Sequence, residues 1–579
     1  MAGQVFKFSR DRGMGKRPSV RPGKIPSDWI FPGKRRAAGI PDFHEMMKPK
    51  NWNSLWEESC SNEEWKMGKW PAIVKAAGIV TAITAIGKIL GFLRESIIAA
   101  FFGTSAEADV FFVASLVPTI LFTALGTAIQ AGIVPIYLRE KEKNAKEAAH
   151  LIGSLGTFFV FVSIAAAILA ILAARPLVSF LAPGFSADQL RLAERLTVIL
   201  VPAIVFMTLT SVASGVLHAN QKFAMPALTS TVQNLAVILS ALFLARPFGV
   251  IGLACGFLAG TALQFFIQWP SLKRYRVRFP FPPQKRGISL RETLSGFYPV
   301  ILASVAVQIN GVTDRMISST LDEGSISSLN YAYRLLWLPL SVMIGPLITV
   351  LYPSIVGSAL KGAKPFGRIV GQGFRTIIYL SIPFMLVMII SGKALIRLAF
   401  ERGAFDASDT VRTYGVFICY GIGLAFFALR DYLMNCFYAL KENRLVMHSC
   451  LWTVLLNIGF SLLLSRFYGA AGIALAGTMA MLFQTVYLLV CFRRKSGLVV
   501  SGAEGWRDWG KYALLFAFPL SLLLPARGTV EKFPDIAELF LVSALVFSFH
   551  FFLSWLLKME EPKRCLALLA KNKSVTFGE

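Results

Sequence analysis

From Pro71 to Leu557 the chain is a near-continuous series of apolar runs, each close to the ~20 residues that an α-helix needs to cross a bilayer. About fourteen spans are read, at 71–98, 108–137, 149–173, 192–217, 223–245, 249–270, 294–318, 326–356, 372–395, 410–440, 445–465, 470–492, 509–525 and 536–557. In hydrocarbon every backbone N–H and C=O must find a partner within the protein, so runs of this length are expected as helices. Composition agrees. Apolar residues make up 55% and charged ones 16%, against about 45–50% and 25% in soluble domains. The mean hydropathy is +0.59. The expected class is an all-α polytopic membrane protein, which excludes a soluble enzyme, a secreted disulfide scaffold and a nucleic-acid-binding domain.

The net charge of +26 does not point to nucleic acid, because the basic residues sit in alternate short loops. These are Arg139–Lys146, Lys273–Arg291, Lys361–Arg368, Lys441–Arg444, Arg493–Lys495 and Lys558–Arg564. The intervening loops Phe101–Glu107 and Leu321–Ser325 contain no Lys or Arg. Lys/Arg-rich loops stay on the cytoplasmic side, so an even number of spans puts both termini in the cytoplasm. Residues 1–70 carry 14 Lys/Arg against 8 Asp/Glu and no long apolar run. Two readings of them stand: a basic, disordered cytoplasmic tail, or a mis-assigned start preceding Met67.

Nothing in the chain is built for covalent chemistry. The seven cysteines form no CxxC pair and the five histidines no HExxH, and neither a phosphate-binding loop nor a GxGxxG turn occurs. No enzyme activity, metal or cofactor is expected.

An internal repeat is legible at an offset of 220 residues. Arg246-Pro-Phe-Gly249 returns as Arg466-Phe-Tyr-Gly469, Gly252 as Gly472, Phe185-Ser-Ala187 as Phe405-Asp-Ala407, and Gly91 as Gly311. Pro118 and Pro339 pair at 221. The unit covers six spans, so both copies insert the same way up. They form two lobes about a pseudo-two-fold axis along the membrane normal, with a cavity between them. The expected division is a tail at 1–70, an N-lobe at 71–291, a C-lobe at 292–500, and two additional helices with a cytoplasmic C-terminus at 501–579.

Ionisable residues inside spans cost on the order of 2.5–3.5 kcal/mol each and mark functional positions. The first span holds Lys88, Arg94 and Glu95, the second opens with Asp109, and the repeat mate of Arg94-Glu95 is Asp314-Arg315. Arg334 lies early in the eighth span. Two readings stand for these cations. One is pairing or snorkelling at helix ends. The other is a phosphate site in the cleft, built from Arg94, Arg334 and Lys88, since the guanidinium fork matches phosphate oxygens. Glu95, Asp109 and Arg315 are then gating or coupling groups. A cation site is also conceivable from the oxygens of Asp314, Asn457, Ser461 and Thr478, with plain helix-packing contacts as the competing reading.

At these residues the chain resembles the MurJ/MviN family of bacterial lipid II flippases. The resemblance rests on Lys88–Arg94, Ala108-Asp-Val-Phe-Phe-Val113, Leu181-Ala-Pro-Gly-Phe185, Leu217-His-Ala-Asn-Gln-Lys-Phe-Ala-Met-Pro226, Asn330-Tyr-Ala-Tyr-Arg-Leu335, Phe400-Glu-Arg-Gly-Ala-Phe-Asp406 and Phe437-Tyr-Ala-Leu440. It runs from about residue 72 to 560 and implies the fold of the MOP (MATE-like) transporter superfamily, two six-helix lobes plus two C-terminal helices that form a groove. It also implies a location in the bacterial plasma (inner) membrane, and a cargo for peptidoglycan and cell-wall synthesis, the undecaprenyl-pyrophosphate-linked disaccharide pentapeptide. The implied partners are that glycan lipid, membrane lipids and the cell-wall synthesis machinery. By the same resemblance Arg94, Arg334 and Lys88 are cavity cations, and Asp109 matches directly. Glu95 takes the place of a common Asp. One departure matters: many members carry an Arg pair where this chain has Phe122 and Thr123.

Without a hydrolytic motif the drive is expected from the membrane potential, a monovalent ion gradient or consumption of the product. Three alternatives stay open: a flippase for another undecaprenyl-linked polysaccharide unit, a drug/cation antiporter of the same superfamily, and, most remotely, a membrane-embedded transferase. The antiporter requires an acidic cavity, and the transferase a large loop with a carboxylate cluster.

Overall fold

The computed structural model describes residues 70–280, 308–496 and 505–563. The chain divides into the units Met1–Ile73 and Val74–Glu579, and the helical bundle is built by the second. The expected tail, and residues 294–307 of the seventh expected span, lie outside the described residues.

All described regular structure is helical. The first lobe runs through α1 (Trp70–Phe102), α2 (Ala106–Lys143), α3 (Ala145–Leu172), α4 (Ala174–Leu181), α5 (Ala187–Leu200), α6 (Ala203–Ala219), α7 (Ala224–Phe248) and α8 (Val250–Lys273). The second has α9 (308–318), α10 (Ser325–Lys361), α11 (Ala363–Ile390), α12 (Gly392–Phe400), α13 (Ala407–Ala439) and α14 (Asn443–Ser496). Then come α15 (Gly505–Leu523), the single turn α16 (Arg527–Val530) and α17 (Asp535–Leu556). Among the described residues ten stretches are long and apolar enough to cross a membrane. One of them, Asn443–Arg494, covers two expected spans and breaks at Gly469.

The repeat is visible in the backbone. Gln221 and Lys441, 220 apart, have φ of +58° and +60° at the ends of matching helices. Gly249 and Gly469, also 220 apart, share φ/ψ of +57°/−142° and +55°/−134°. Three residues later a Cβ on Gly252 or on Gly472 would strike the carbonyl of Leu244 or of Leu464. Both lobes therefore turn back through the same glycine hairpin. The short helices α4 and α12 also match, each followed by a side-chain-capped helix start, Ser186 in one lobe and Asp406 in the other. The hydropathy reading did not separate them, because eight or nine amphipathic residues are too few for a membrane-length window.

Gly469 supplies a direct test of this turn. Nothing lies within 4 Å of the Cβ that alanine would add, so the cost is backbone strain alone, about 1–3 kcal/mol at such an angle pair. Gly469→Ala should lower the thermal midpoint of the purified protein by a few degrees. Gly415→Ala, in the body of α13 with equally open space, should leave it level or raise it. Equal behaviour of the two would remove the strain argument.

Among the described residues the additional helices pack against the second lobe. Leu515 and Tyr512 of α15 and Val542 and Val546 of α17 pack with Tyr379, Ile382 and Leu386 of α11. Arg397 of α12 pins α17 by reaching Asp535 at 2.6 Å and Glu538 at 3.3 Å. The opposite face of α17 presents Ile536, Phe540, Phe551, Phe552 and Trp555, all exposed and apolar, as a lipid-facing surface requires.

Candidate functional site

Glu95 is the hub. It is 1% exposed and lies about two turns before the end of α1, where an unpaired carboxylate would be costly. Its Oε1 takes the Arg94 Nη2 at 2.5 Å and the Arg334 Nε at 3.3 Å, and its Oε2 accepts from Asn330 Nδ2 at 3.3 Å. Arg94 also donates to Asn234 Oδ1 at 3.1 Å, and Asn234 donates to the Gly87 carbonyl at 3.0 Å. Thus α1 and α7 of one lobe meet α10 of the other around a single carboxylate. The two arginines differ in what they leave available: the Arg94 side chain is 16% exposed and that of Arg334 is 50% exposed.

These groups line a cavity of about 300 Å³ between the lobes. Arg94, Arg315 and Arg334 face it against the one carboxylate of Glu95, with Asn330 and Gln233 beside them and Phe111, Phe112 and Phe257 on the apolar wall. Lys88 is exposed and lies outside this lining; it stands six residues, or ~9 Å of helix rise, before Arg94.

A second cavity, about 220 Å³, opens inside the C-lobe and shares Arg315 and Asn330 with the first. Asp314 and Asn457 meet here, Asn457 Nδ2 donating to Asp314 Oδ1 at 3.1 Å. Ser461 and Thr478 do not line it. The Thr478 hydroxyl donates to the Cys419 carbonyl at 2.8 Å, and that of Ser461 is buried without a hydrogen bond among the described residues. Sequence reasoning missed Arg430, whose guanidinium lines this cavity beside Asp431 at 3.2 Å. The signal was present, since Arg430-Asp431 is an opposite-sign doublet in mid-span like Arg94-Glu95.

The lobes are clasped at one end of the cleft. Asp109 of α2 accepts from the backbone N–H of Gly324 at 2.8 Å and of Ser327 at 2.7 Å, so it caps the start of α10 in the other lobe. Asp409 of α13 reciprocates, accepting from the backbone N–H and the hydroxyl of Thr104 just ahead of α2. Ala404 N–H adds a bond to the Ala100 carbonyl at 2.8 Å. Beneath the clasp, the buried Tyr331 packs its ring on Phe112, Phe400 and Phe405 and donates its hydroxyl to the Gly103 carbonyl. Where the sequence departs from the resemblance, Thr123 accepts from Gln308 Nε2 at 3.1 Å, a further link between α2 and α9.

The chain is similar in sequence and fold to named proteins. A family model described as Lipid II flippase MurJ matches residues 98–534. A "Probable lipid II flippase MurJ" of Buchnera aphidicola subsp. Acyrthosiphon pisum is 30% identical over 406 residues, covering 69% of this chain and 79% of that protein. "Lipid II flippase MurJ" of Thermosipho africanus is 29% identical over 419 residues, with 72% and 85% covered. Among solved structures, "Lipid II flippase MurJ, inward closed conformation" superposes with a TM-score of 0.70 at 27% identity, over 82% of this chain and 97% of that one. An inward-facing multidrug-resistance MATE transporter of the MOP superfamily superposes at 0.62 and 12% identity, over 73% and 98%, a likeness of fold.

Proposed function

The chain belongs to the MurJ family of lipid II flippases, and from that membership we propose that it moves a polyprenyl-pyrophosphate-linked peptidoglycan precursor, lipid II, from the inner to the outer leaflet by alternating access. The observation that carries this reading is the convergence of three arginines from two lobes on one cavity. A pyrophosphate cannot cross hydrocarbon unaided, because a buried, unpaired charge costs far more than its carrier lipid gains. Guanidiniums replace water around its oxygens with charge-assisted, bidentate hydrogen bonds.

Arg334 is the receiving group, since half of its side chain is open to the cavity. Arg94 is held by Glu95 and Asn234 and fixes the depth of the site. Glu95 neutralises part of this charge while the site is empty, and cargo phosphate competes with it for Arg334. Because Glu95 and Arg334 belong to different lobes, that competition is also a way for cargo to loosen the lobes from one another. The polyprenyl tail stays in lipid, against the apolar hollow of Phe547, Phe551, Phe552 and Trp555 on α17.

The clasped end carries the two loops without Lys or Arg, Phe101–Glu107 and Leu321–Ser325, so by the positive-inside rule it is the outer face. Both termini are then cytoplasmic, and the cavity loads from the inner leaflet. No hydrolytic motif supplies energy, which leaves the membrane potential, an ion gradient or consumption of the product outside; one elementary charge crossing 100 mV is worth ~2.3 kcal/mol.

The test uses bacteria depleted of their own flippase and expressing this chain. A membrane-impermeant enzyme that cleaves lipid II from outside reports how much has reached the outer leaflet. Cleavage should return to the undepleted level. A protein present in the membrane that restores no cleavage would favour a different lipid-linked glycan, a reading to which Phe122 and Thr123 at the positions of the usual Arg pair lend support.

A further inference from the structure

We propose that the 220 Å³ cavity inside the C-lobe is a subsite for a single N-acetylated pyranose, the sugar joined directly to the pyrophosphate of the cargo. The inference rests on the flippase reading and assigns a second half to that site. Three observations carry it.

The first is position. Arg315 and Asn330 line both this cavity and the inter-lobe one, so the two compartments share a wall. A phosphate held by Arg334 would place its covalently attached sugar next to that wall.

The second is size. At 220 Å³ the space lies below the ~300 Å³ at which pockets for drug-sized molecules begin. That suits a single ring facing inward, with the second sugar and the peptide that this ring carries left in the cleft.

The third is chemistry. A pyranose presents C–H groups on its faces and both donors and acceptors around its rim. The cavity offers the matching set. Tyr333, 37% exposed, and the buried Tyr420 stand edge to face at 5.6 Å and form an aromatic wall. Asn457 is 2% exposed, and its Oδ1 has no hydrogen-bond donor among the described residues; it is an acceptor awaiting a hydroxyl or amide N–H. Arg430 supplies donors, its Nη1 meeting the Met434 sulfur at 3.8 Å. A bare cation would have to sit against Arg315 and Arg430, and a free anion against Asp314. A neutral polyhydroxyl ring suits both signs at once.

Binding of two probes to the purified full-length chain tests this: undecaprenyl pyrophosphate, and the same lipid bearing one N-acetylhexosamine. The wild type should bind the sugar-bearing lipid about tenfold more tightly, the equivalent of roughly 1.4 kcal/mol. Tyr333→Ala should abolish that gain and leave the bare pyrophosphate lipid bound as before, while Tyr333→Phe should keep it. Equal binding of the two lipids by the wild type overturns the subsite and leaves the phosphate clamp standing. Equal weakening of both by Tyr333→Ala also overturns it, because Tyr333 would then serve the clamp. Failure of the wild type to bind either lipid overturns the flippase reading and this inference with it.

Discussion

Arg334→Ala should bring external cleavage of lipid II down to the level of flippase-depleted cells while the protein reaches the membrane in normal amount. The two halves of that expectation have separate physical grounds. Arg334 is half exposed, and Glu95 keeps Arg94 at 2.5 Å and Asn330 at 3.3 Å when it is gone, so the buried carboxylate is not stranded. Transport loses the most exposed of the three guanidiniums that line the cavity. Charge-assisted hydrogen bonds are worth about 1.5–3 kcal/mol each, so a bidentate contact is worth a hundredfold or more in affinity at ~1.4 kcal/mol per factor of ten. Arg334→Lys keeps the charge and loses the fork, and should recover only part of the activity.

Arg94→Ala should abolish transport too, but with a lower yield of folded protein. Arg94 is largely buried, and its removal takes from Glu95 its shortest ion pair and from Asn234 Oδ1 its donor. Breaking a buried pair in this way costs about 3–5 kcal/mol. Wild-type cleavage in Arg334→Ala cells would sink the clamp, whatever Arg94→Ala does.

The contrast between these arginines shows what the sequence could and could not say. Hydropathy located the membrane helices because the bilayer imposes one length on all of them. The 220-residue offset predicted paired lobes, and Gln221 with Lys441 and Gly249 with Gly469 carry it down to single backbone angles. Arg94, Glu95 and Arg334 were visible as charges inside apolar spans. Their division of labour was not, because it depends on Glu95 meeting a residue 239 positions away.

Lys88 illustrates the limit of helical arithmetic. It shares a helix face with Glu95, but it is exposed and stands outside the cavity lining, ~9 Å of helix rise before Arg94. Arg430 escaped notice although its doublet with Asp431 has the same form as Arg94-Glu95. Asp314, Asn457, Ser461 and Thr478 were grouped by their oxygens. Only Asp314 and Asn457 line the C-lobe cavity, since Thr478 spends its hydroxyl on the α13 backbone. Spacing along one helix says which side chains share a face, and packing between helices decides which faces meet.

Asp109 is the second residue whose loss should be nearly complete, and for a different reason. Its two carboxylate oxygens satisfy two of the N–H groups that the start of α10 leaves without helical partners. A carboxylate there also meets the positive end of the helix dipole. Asp109→Ala orphans both donors at the clasp and should cost ~1–3 kcal/mol per unsatisfied group. That comes directly out of the difference between the clasped and the open arrangement of the lobes. Asp109→Asn keeps one acceptor and points an N–H₂ at the other donor, so it should be nearly as damaging.

The clasped form would lose population by the exponential of that energy. A cysteine placed at Ser328, fully buried behind the clasp, should then react with an impermeant thiol reagent from the outside at least tenfold faster, and lipid II export should fall with it. Asp409→Ala should do less, because Ala404 still bonds Ala100 across the same junction. Unchanged labelling and normal export in Asp109→Ala would mean that the clasp is not what shuts the outer end. The packing of Tyr331 on Phe112, Phe400 and Phe405 would then be holding the lobes together, and that aromatic layer would be the gate.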